Sequence, residues 1–325
     1  MKQYDVVVVN FNGRKIISRC LDSVYKSSIL PQKVIVVDNA SSDESVSFIK
    51  DKFPHVKITE SKENLGFGRG NNLGMKHSTA EFILFLNSDV ILDKGCAKKL
   101  LEGFERDDVA VLDPIIYKGW EKTKNQPLYA FGAELNESGF AYALMDKTKN
   151  CLDLNNFSAA CVMTRAGIIK KIRFEEDFFL YYEEPILSVN FLKRGYKIGR
   201  IKEAKCYHLE SFSSPEKAAG GVAFRQFYGV QNRHFMLAKH WPFLLLVKVL
   251  PINFFHFIYV LFFCLSHGRF SSLKLIYLTP ASFIKGIKLR DRSDLVDKKW
   301  FKKLKKTPFS GYLSLKKKVF SSSDN

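Results

Sequence analysis

Acidic residues are in short supply here: 51 Lys and Arg stand against 33 Asp and Glu in 325 residues, a formal net charge of +18. A surplus of that sign directs attention to anionic partners: nucleic acid, an anionic membrane or phosphorylated ligands. The surplus sits in the tail, since residues 265–325 hold fifteen Lys and Arg against four Asp. Cysteine pairs are also missing. Cys20, Cys96, Cys151, Cys161, Cys206 and Cys264 form no C-x-x-C and no zinc-like spacing, so a structural zinc site is excluded. Reduced, mostly buried thiols in a cytosolic protein are expected. The first strand is expected to begin almost at once, at Tyr4, so no secretory leader is expected. There is no internal repeat and no low-complexity linker. With 46% hydrophobic residues, a sizeable core is available and global disorder is excluded.

What is present is an alternation of buried strands and helices. Asp5-Val6-Val7-Val8-Val9 reads as a strand covered on both faces, the kind found in parallel sheets. Asn10-Phe11-Asn12-Gly13 breaks it, and Ile16, Cys20, Leu21 and Val24 mark a helix over Ile16–Ser27. Lys33–Asp38 is a second strand, followed by a helix from the Ser41–Glu44 start to about Lys52, a short strand over Val56–Thr59, and a helix near Asn71–His77. Glu81–Leu86 is a fourth strand, ending at Asn87-Ser88-Asp89. Residues 109–156 read as irregular. Pro185 suits the first turn of a helix that runs to about Arg194 and stops at Gly195. This order predicts an α/β fold with a mostly parallel, Rossmann-like sheet flanked by helices. Ligands then bind beyond the carboxyl ends of the strands, where Asn10, Asp38 and Asp89 all lie.

Each of these segments has an ordinary structural reading. Asn-Ser-Asp is common turn chemistry; Asp38-Asn39-Ala40-Ser41-Ser42-Asp43 can cap a helix. The glycines of Asn64-Leu65-Gly66-Phe67-Gly68-Arg69-Gly70-Asn71-Asn72 permit close backbone approach to a ligand, but the run is not a dinucleotide fingerprint, because Asn72 stands where the last glycine belongs.

Taken together, the four motifs in order, Val-Val-Asn-Phe-Asn-Gly, Val-Val-Asp-Asn-Ala-Ser-Ser-Asp, Glu-Asn-Leu-Gly-Phe-Gly-Arg-Gly-Asn-Asn and Leu-Asn-Ser-Asp, resemble glycosyltransferase family 2 and its rhamnosyltransferase-like branch, over about residues 4–240. The resemblance implies a GT-A fold and an inverting transfer of a sugar, rhamnose or another hexose, to a hydroxyl of a glycan or lipid-linked acceptor. It implies a UDP- or dTDP-linked donor and a divalent cation, Mg²⁺ or Mn²⁺. Asp38 would contact the base, Asp89 and His208 the metal, and Asn10, Phe11, Asn64, Gly66, Gly68, Asn71, Asn87 and Ser88 the nucleotide sugar. In Glu183-Glu184-Pro185-Ile186-Leu187, Glu184 occupies the position of the family's catalytic Asp and Ile186 replaces a usual Asp; Glu183 is the rival base. A general base must accept the acceptor's proton during attack. Gln231 replaces a family Arg, so a diphosphate role for Arg225 or Arg233 is without motif support. Two other readings are a nucleotidyltransferase, which the short Asn10–Arg14 loop disfavours, and a non-catalytic nucleotide-sugar or glycolipid binder.

Domains are expected at 1–240, the catalytic domain, and 241–325, a helical appendage. Trp241–Leu265 has the length of a membrane span but is interrupted by Lys248, Pro251, Asn253 and His256. Peripheral or re-entrant contact, a true span, and a soluble core or dimer interface are the three readings. The lysines at 298, 299, 302, 303, 305 and 306 favour peripheral docking on an anionic cytoplasmic membrane face. No nucleic-acid partner is expected, because the basic residues adjoin an apolar aromatic stretch rather than a groove-reading motif. The sequence leaves oligomerisation open.

Overall fold

The computed structural model describes residues 2–119, 127–145, 150–209, 222–266 and 268–291, with Ser293, Leu295, Val296 and Leu304. The lysine cluster at 298–306 otherwise lies outside the described residues, as do the side chains of Val222–Arg225.

Two compact units partition the chain: residues 1–134 with 142–225, and residues 135–141 with 226–325. The sequence reading placed the break at 240, where composition turns apolar. The structural break falls near the start of a helix, Val222–His240, whose buried side chains Val230, Phe235, Met236 and Leu237 belong with the C-terminal helices.

The first unit is a sheet with helices on both faces. Strands β1 (Tyr4–Asn10), β2 (Val34–Asp38), β3 (Lys57–Glu60) and β4 (Phe82–Asn87) alternate with helices α1 (Ile17–Tyr25), α2 (Ser45–Lys52) and α3 (Gly66–Met75). β1 pairs in parallel with both β2 and β4, and β2 with β3. Because successive side chains point to opposite faces, the valine run feeds two cores. Val6 and Val8 join Cys20, Leu21 and Val24 of α1 on one face. Val7 joins Ile35, Phe85 and Met75 of α3 on the other. That explains why the run is continuous rather than alternating.

The second half of the sheet departs from the expectation. Residues 109–156 include β6 (Val109–Lys118), β7 (Leu128–Ala130), β8 (Ala133–Leu135), β9 (Ala141–Ala143) and β10 (Cys151–Leu154). β6 is buried from Val109 to Ile116 and lies between β11 (Cys161–Arg165) and β12 (Lys197–His208). Asp113-Pro114 hid it, because Pro cannot donate to the ladder and argues against a central strand. The partner strand β12 accommodates this with a register shift between Ile201 and Lys205, opposite Pro114–Ile115. β11 runs antiparallel to β4 and β6, so the sheet is mixed, though mostly parallel through β1–β4. After α4 (Cys96–Gly103) and α5 (Ala166–Ile172), helix α6 (Glu183–Lys193) ends before Gly195, which takes the left-handed φ of +81°.

α3 begins inside the glycine-rich segment, five residues earlier than expected. A Cβ on Gly74 would lie 2.5 Å from Val7 Cγ1, and one on Gly70 3.0 Å from Val9 Cγ1. These glycines let the helix sit close on β1. Close helix–sheet packing outweighs a helix cost of roughly 1 kcal/mol per glycine.

Among the described residues, the second unit contains the tip of the β8–β9 hairpin, residues 135–141, most of α7 (Val222–His240), and the helices α8 (Phe243–Ser266) and α9 (Leu275–Lys288). α8 has two faces. Leu246, Val249, Asn253, Val260 and Cys264 point inward, whereas Leu244 (81% exposed), Val247, Phe254, Phe255, Ile258 and Phe262 (71%) point outward. α9 likewise exposes Ile276, Tyr277, Ile284 and Ile287.

Candidate active site

The polar strand ends stand side by side. Asn10 is in register with Asp38, and Val9 with Asn87, so β2, β1 and β4 end together. At about 4.8 Å between strands, Asp38 and Asn87 are roughly 10 Å apart along that edge. The edge continues through β11, where Asn87 N donates to Ala160 O at 2.9 Å.

On the β1–β2 side, Asn10 Nδ2 donates to Asp38 Oδ1 (2.9 Å) and to Ser45 Oγ (3.0 Å). Asp38 Oδ2 accepts from Ser41 N at 2.9 Å. Asp43 Oδ1 accepts from Ser45 N and Oγ, and Asn12 Oδ1 from Ser42 N, so the segment bonds the first amide of α2, while the N-cap position itself is Glu44, left-handed and without a side-chain cap bond. Asp38 is buried, with both oxygens engaged by the protein. A carboxylate offers about four acceptor directions, so further bonding is open to it. Phe11, Asn64 and Asn87 are half-buried at this edge, and Asn64 Oδ1 also accepts from Gly66 N.

Gly66, Gly68 and Asn71 also have a packing role. They are expected to face the nucleotide sugar, and the structure shows in addition what they pack against in the protein. A Cβ on Gly66, whose φ is +75°, would lie 2.0 Å from Phe179 O, and one on Gly68 3.0 Å from Glu175 O. Asn71 is buried, and its amide donates to Phe67 O. Asn72 bonds Phe174 through both ends of its amide, donating to O (2.9 Å) and accepting from N (3.0 Å). The glycine-rich segment therefore docks residues 174–183, the stretch that leads into the paired glutamates.

Asp89 and His208 meet in the interior. His208 Nε2 is 3.1 Å from Asp89 Oδ1, and both residues are buried. Antiparallel pairing brings them together: β5 (Val90–Leu92) aligns Val90 with His208, and Leu209 N donates to Asp89 O. Tyr129 stacks edge-on against the His208 ring, 4.9 Å between centroids. Two cis ligands of an octahedral cation bonded at about 2.1 Å are about 3 Å apart, so this pair has the spacing for one shared divalent ion. Ser88 is buried beside them. Among the described residues, no group of three or more His, Cys, Asp or Glu converges on one point. Any remaining ligands would come from diphosphate oxygens and water, the usual arrangement for Mg²⁺.

Glu183 and Glu184 head α6. Tyr181 and Tyr182 precede them with φ of +67° and +73°, a left-handed pair in non-glycine residues that costs energy and marks a constrained turn. The two carboxylates face different surroundings. Glu183 is 2% exposed, its Oε1 has no hydrogen-bond partner, and its Cγ lies near Gly68. Glu184 is half-buried, and its Oε1 accepts weakly from Ala159 N at 3.4 Å, next to the β11 end that adjoins Asn87. Burial pushes both carboxyls above the usual range, Glu183 further because Glu184's charge adds to it. The helix-start N–H groups pull the other way but lose to burial. Glu184 is thus the accessible carboxylate.

Asp113 was missed by sequence reasoning. It sits on β6, fully buried, and its Oδ2 accepts from Ser158 N at 2.9 Å. Ser158 and Ala159 thus present consecutive amides to Asp113 and Glu184. Burial raises the Asp113 carboxyl well above its ordinary range, and Glu184 raises it further. The signal available in the sequence was a lone Asp inside an apolar run, Val-Ala-Val-Leu-Asp-Pro-Ile-Ile.

Residues 5–173 match the model of the family described as glycosyl transferase family 2. Among curated relatives, a low-salt glycan biosynthesis hexosyltransferase, Agl10 of Haloferax volcanii, is 24% identical over 208 residues, covering 62% of this chain and 66% of the relative. The O-antigen chain rhamnosyltransferase RfbN of Salmonella typhimurium is 22% identical over 219 residues, 65% of this chain and 68% of the relative. Two solved structures share the fold. GalNAc-T7, crystallised with UDP, GalNAc and Mn²⁺, has a TM-score of 0.60 at 15% identity, covering 75% of this chain and 49% of that one. The mannosyltransferase PcManGT of Pyrobaculum calidifontis, in complex with GDP-Man and Mn²⁺, has a TM-score of 0.54 at 14% identity, covering 88% and 83%.

Proposed function

The chain belongs to glycosyl transferase family 2, and from that premise we propose that it transfers a hexosyl group from a nucleoside diphosphate sugar to a hydroxyl of a glycan or lipid-linked acceptor, with inversion. The observation that carries the reading is the single sheet edge along which Asn10–Asp38, the Asp89–His208 pair and Glu184 follow one another.

In this reading the nucleoside lies against Asn10, Phe11 and Asp38, and the diphosphate against Asn87, Ser88 and Asp89. Asp89 and His208 would hold a Mg²⁺ or Mn²⁺ ion, which would supply positive charge to compensate the diphosphate. Glu184 accepts the proton of the acceptor O–H. The acceptor oxygen forms a bond to the anomeric carbon while the bond from that carbon to the diphosphate oxygen breaks. Burial of Glu184 raises its proton affinity toward that of a useful base. Glu183 and the glycine-rich segment set its position. The binder reading loses ground because Glu184 stays reachable.

The second unit docks the enzyme on an anionic membrane face. The outward apolar residues of α8 and α9 supply the buried area, and Lys274, Lys285 and Lys288 the charge. α8 has the length and mean hydropathy, 2.0, to cross a bilayer by composition. Its inward stripe nevertheless carries Asn253, hydrogen-bonded to Arg233. That two-faced design favours lying in the interface over spanning. The test is release of nucleoside diphosphate from a panel of nucleotide sugars with Mg²⁺ or Mn²⁺. No turnover with any donor, with or without anionic vesicles and glycolipid acceptors, would refute the enzymatic reading.

A further inference from the structure

Asp113 is the one charged residue in the buried run of β6 from Val109 to Ile116, and it is fully buried. Its backbone is firmly held. Strands β11 and β12 lie on either side, and a residue that precedes a proline is confined to extended conformations. Its Oδ2 accepts from Ser158 N at 2.9 Å, whereas its Oδ1 is buried without a hydrogen-bond partner. A buried, half-satisfied carboxyl is disfavoured, and an apolar side chain would suit the strand better. The bond that the carboxyl does make therefore directs attention to the loop at its other end.

That loop, residues 155–160, joins β10 to β11 and touches α6. Ser188 Oγ of α6 donates to Asn156 Oδ1 at 2.9 Å, and Glu184 Oε1 accepts from Ala159 N at 3.4 Å. Ala160 O accepts from Asn87 N, at the sheet edge. Ser158 N and Ala159 N belong to neighbouring rigid peptide planes, so fixing one limits the direction of the other. The Ala159 contact is long, as catalytic hydrogen bonds often are before substrate binds. We propose that Asp113 is a positioning residue for the base: it pins the Ser158–Ala159 amide pair, and so holds Glu184 Oε1 in the orientation from which it takes the acceptor's proton. This rests on the reading of Glu184 as that base. Burial holds the Asp113 carboxyl well above its ordinary range; the Ser158 amide opposes this, Glu184 adds to it, and Arg200, in register on β12, opposes it least. A neutral acid still keeps a carbonyl oxygen for Ser158 N, so positioning needs the acceptor and not a charge.

The test uses the full chain, Mg²⁺ or Mn²⁺, and the nucleotide sugar that turns over in the donor panel. Asp113→Leu keeps the approximate size and removes the acceptor. Asp113→Asn restores an oxygen for Ser158 N without an ionisable group. Asp113→Leu should lower kcat by about tenfold to a hundredfold, with the donor KM little changed. It should also move the acid limb of kcat/KM to higher pH, because the Ala159 amide that favours ionised Glu184 is released. Hydrogen exchange at the Ser158 and Ala159 amides should quicken in the same variant. Asp113→Asn should recover most of the rate, the wild-type limb and the slow exchange. In a Glu184→Gln background, Asp113→Leu should cost little more, since its effect passes through Glu184. Should Asp113→Leu fail to fold, Asp113→Ala, smaller and equally without an acceptor, takes its place. An equal loss in both backgrounds would overturn the inference, and so would an inactive Asp113→Asn, because its amide supplies the acceptor. Wild-type kcat in Asp113→Leu beside an inactive Glu184→Gln would overturn this inference alone. Full turnover in Glu184→Gln would overturn the base assignment and this inference with it.

Discussion

Replacing Glu183 and Glu184 one at a time by Gln separates the support from the chemistry. Glu183 is buried with an orphaned oxygen, and its carboxyl is held well above the ordinary range by burial and then by Glu184. Its folded pKa therefore exceeds its unfolded value of about 4.3. Between those two values the folded protein binds more protons than the unfolded chain, so stability is greatest below the unfolded pKa and falls as pH rises. The slope is at most about 1.4 kcal/mol per pH unit, and it levels off above the folded pKa. Glu183→Gln keeps the side-chain shape and removes the ionisation. Urea unfolding from about pH 4 to pH 8 should show the two proteins converging at the acid end. The variant should pull ahead toward neutrality, by about 1.4 kcal/mol for each unit of pKa elevation removed. The contribution of Asp113 largely drops out of the difference, whereas that of Glu184 is altered by the loss of its charged neighbour, so the difference reports the pair. Glu183→Gln should keep most turnover, whereas Glu184→Gln should lose roughly 10²–10⁴-fold with donor binding retained. Parallel stability curves would refute the burial argument, and a dead Glu183→Gln beside an active Glu184→Gln would reverse the assignment.

Because burial raises the Glu184 carboxyl and the base must be ionised, kcat/KM should climb with pH through a pKa above that of a free Glu; a plateau already reached near pH 5 would count against it. Asp89→Ala should abolish metal-dependent turnover, and His208→Ala should raise the Mn²⁺ concentration needed for half-maximal rate by about tenfold or more; undiminished, still metal-requiring turnover in Asp89→Ala would sink the site. Gly66→Ala meets both a φ of +75° and the Phe179 carbonyl at 2.0 Å. It should cost more than the roughly 1–2 kcal/mol of a left-handed residue alone and lower kcat by displacing the turn into α6, as read by thermal unfolding and turnover. Placing Asp at Leu244, Phe254 and Phe262 together should leave the melting temperature nearly unchanged, since all three are exposed, and abolish vesicle co-sedimentation.

The strand ends were legible from local pattern. A valine run interrupted by Asn10, a second ending on Asp38 and a third on Asn87-Ser88-Asp89 encode a doubly covered sheet and its ligand edge, because strand period and turn chemistry are properties of short segments. Motif order did the same for the family, and Pro185 and Gly195 marked the helix of the paired glutamates. Tertiary structure decided what depends on distant partners. That Gly66, Gly68 and Asn71 pack against Phe179, Glu175 and Phe67 is visible only in the folded chain. β6 and β12 are strands by virtue of pairing with each other across 80 to 90 residues, against the local signals of Pro114, Lys202 and Glu203. Burial, not residue type, distinguishes Glu183 from Glu184, and only the meeting of α7, α8 and a hairpin tip shows that Arg233 is buried against Asn253 and Phe140. Sequence supplies each side chain's chemistry, whereas solvent exclusion and long-range pairing set its charge state and its neighbours.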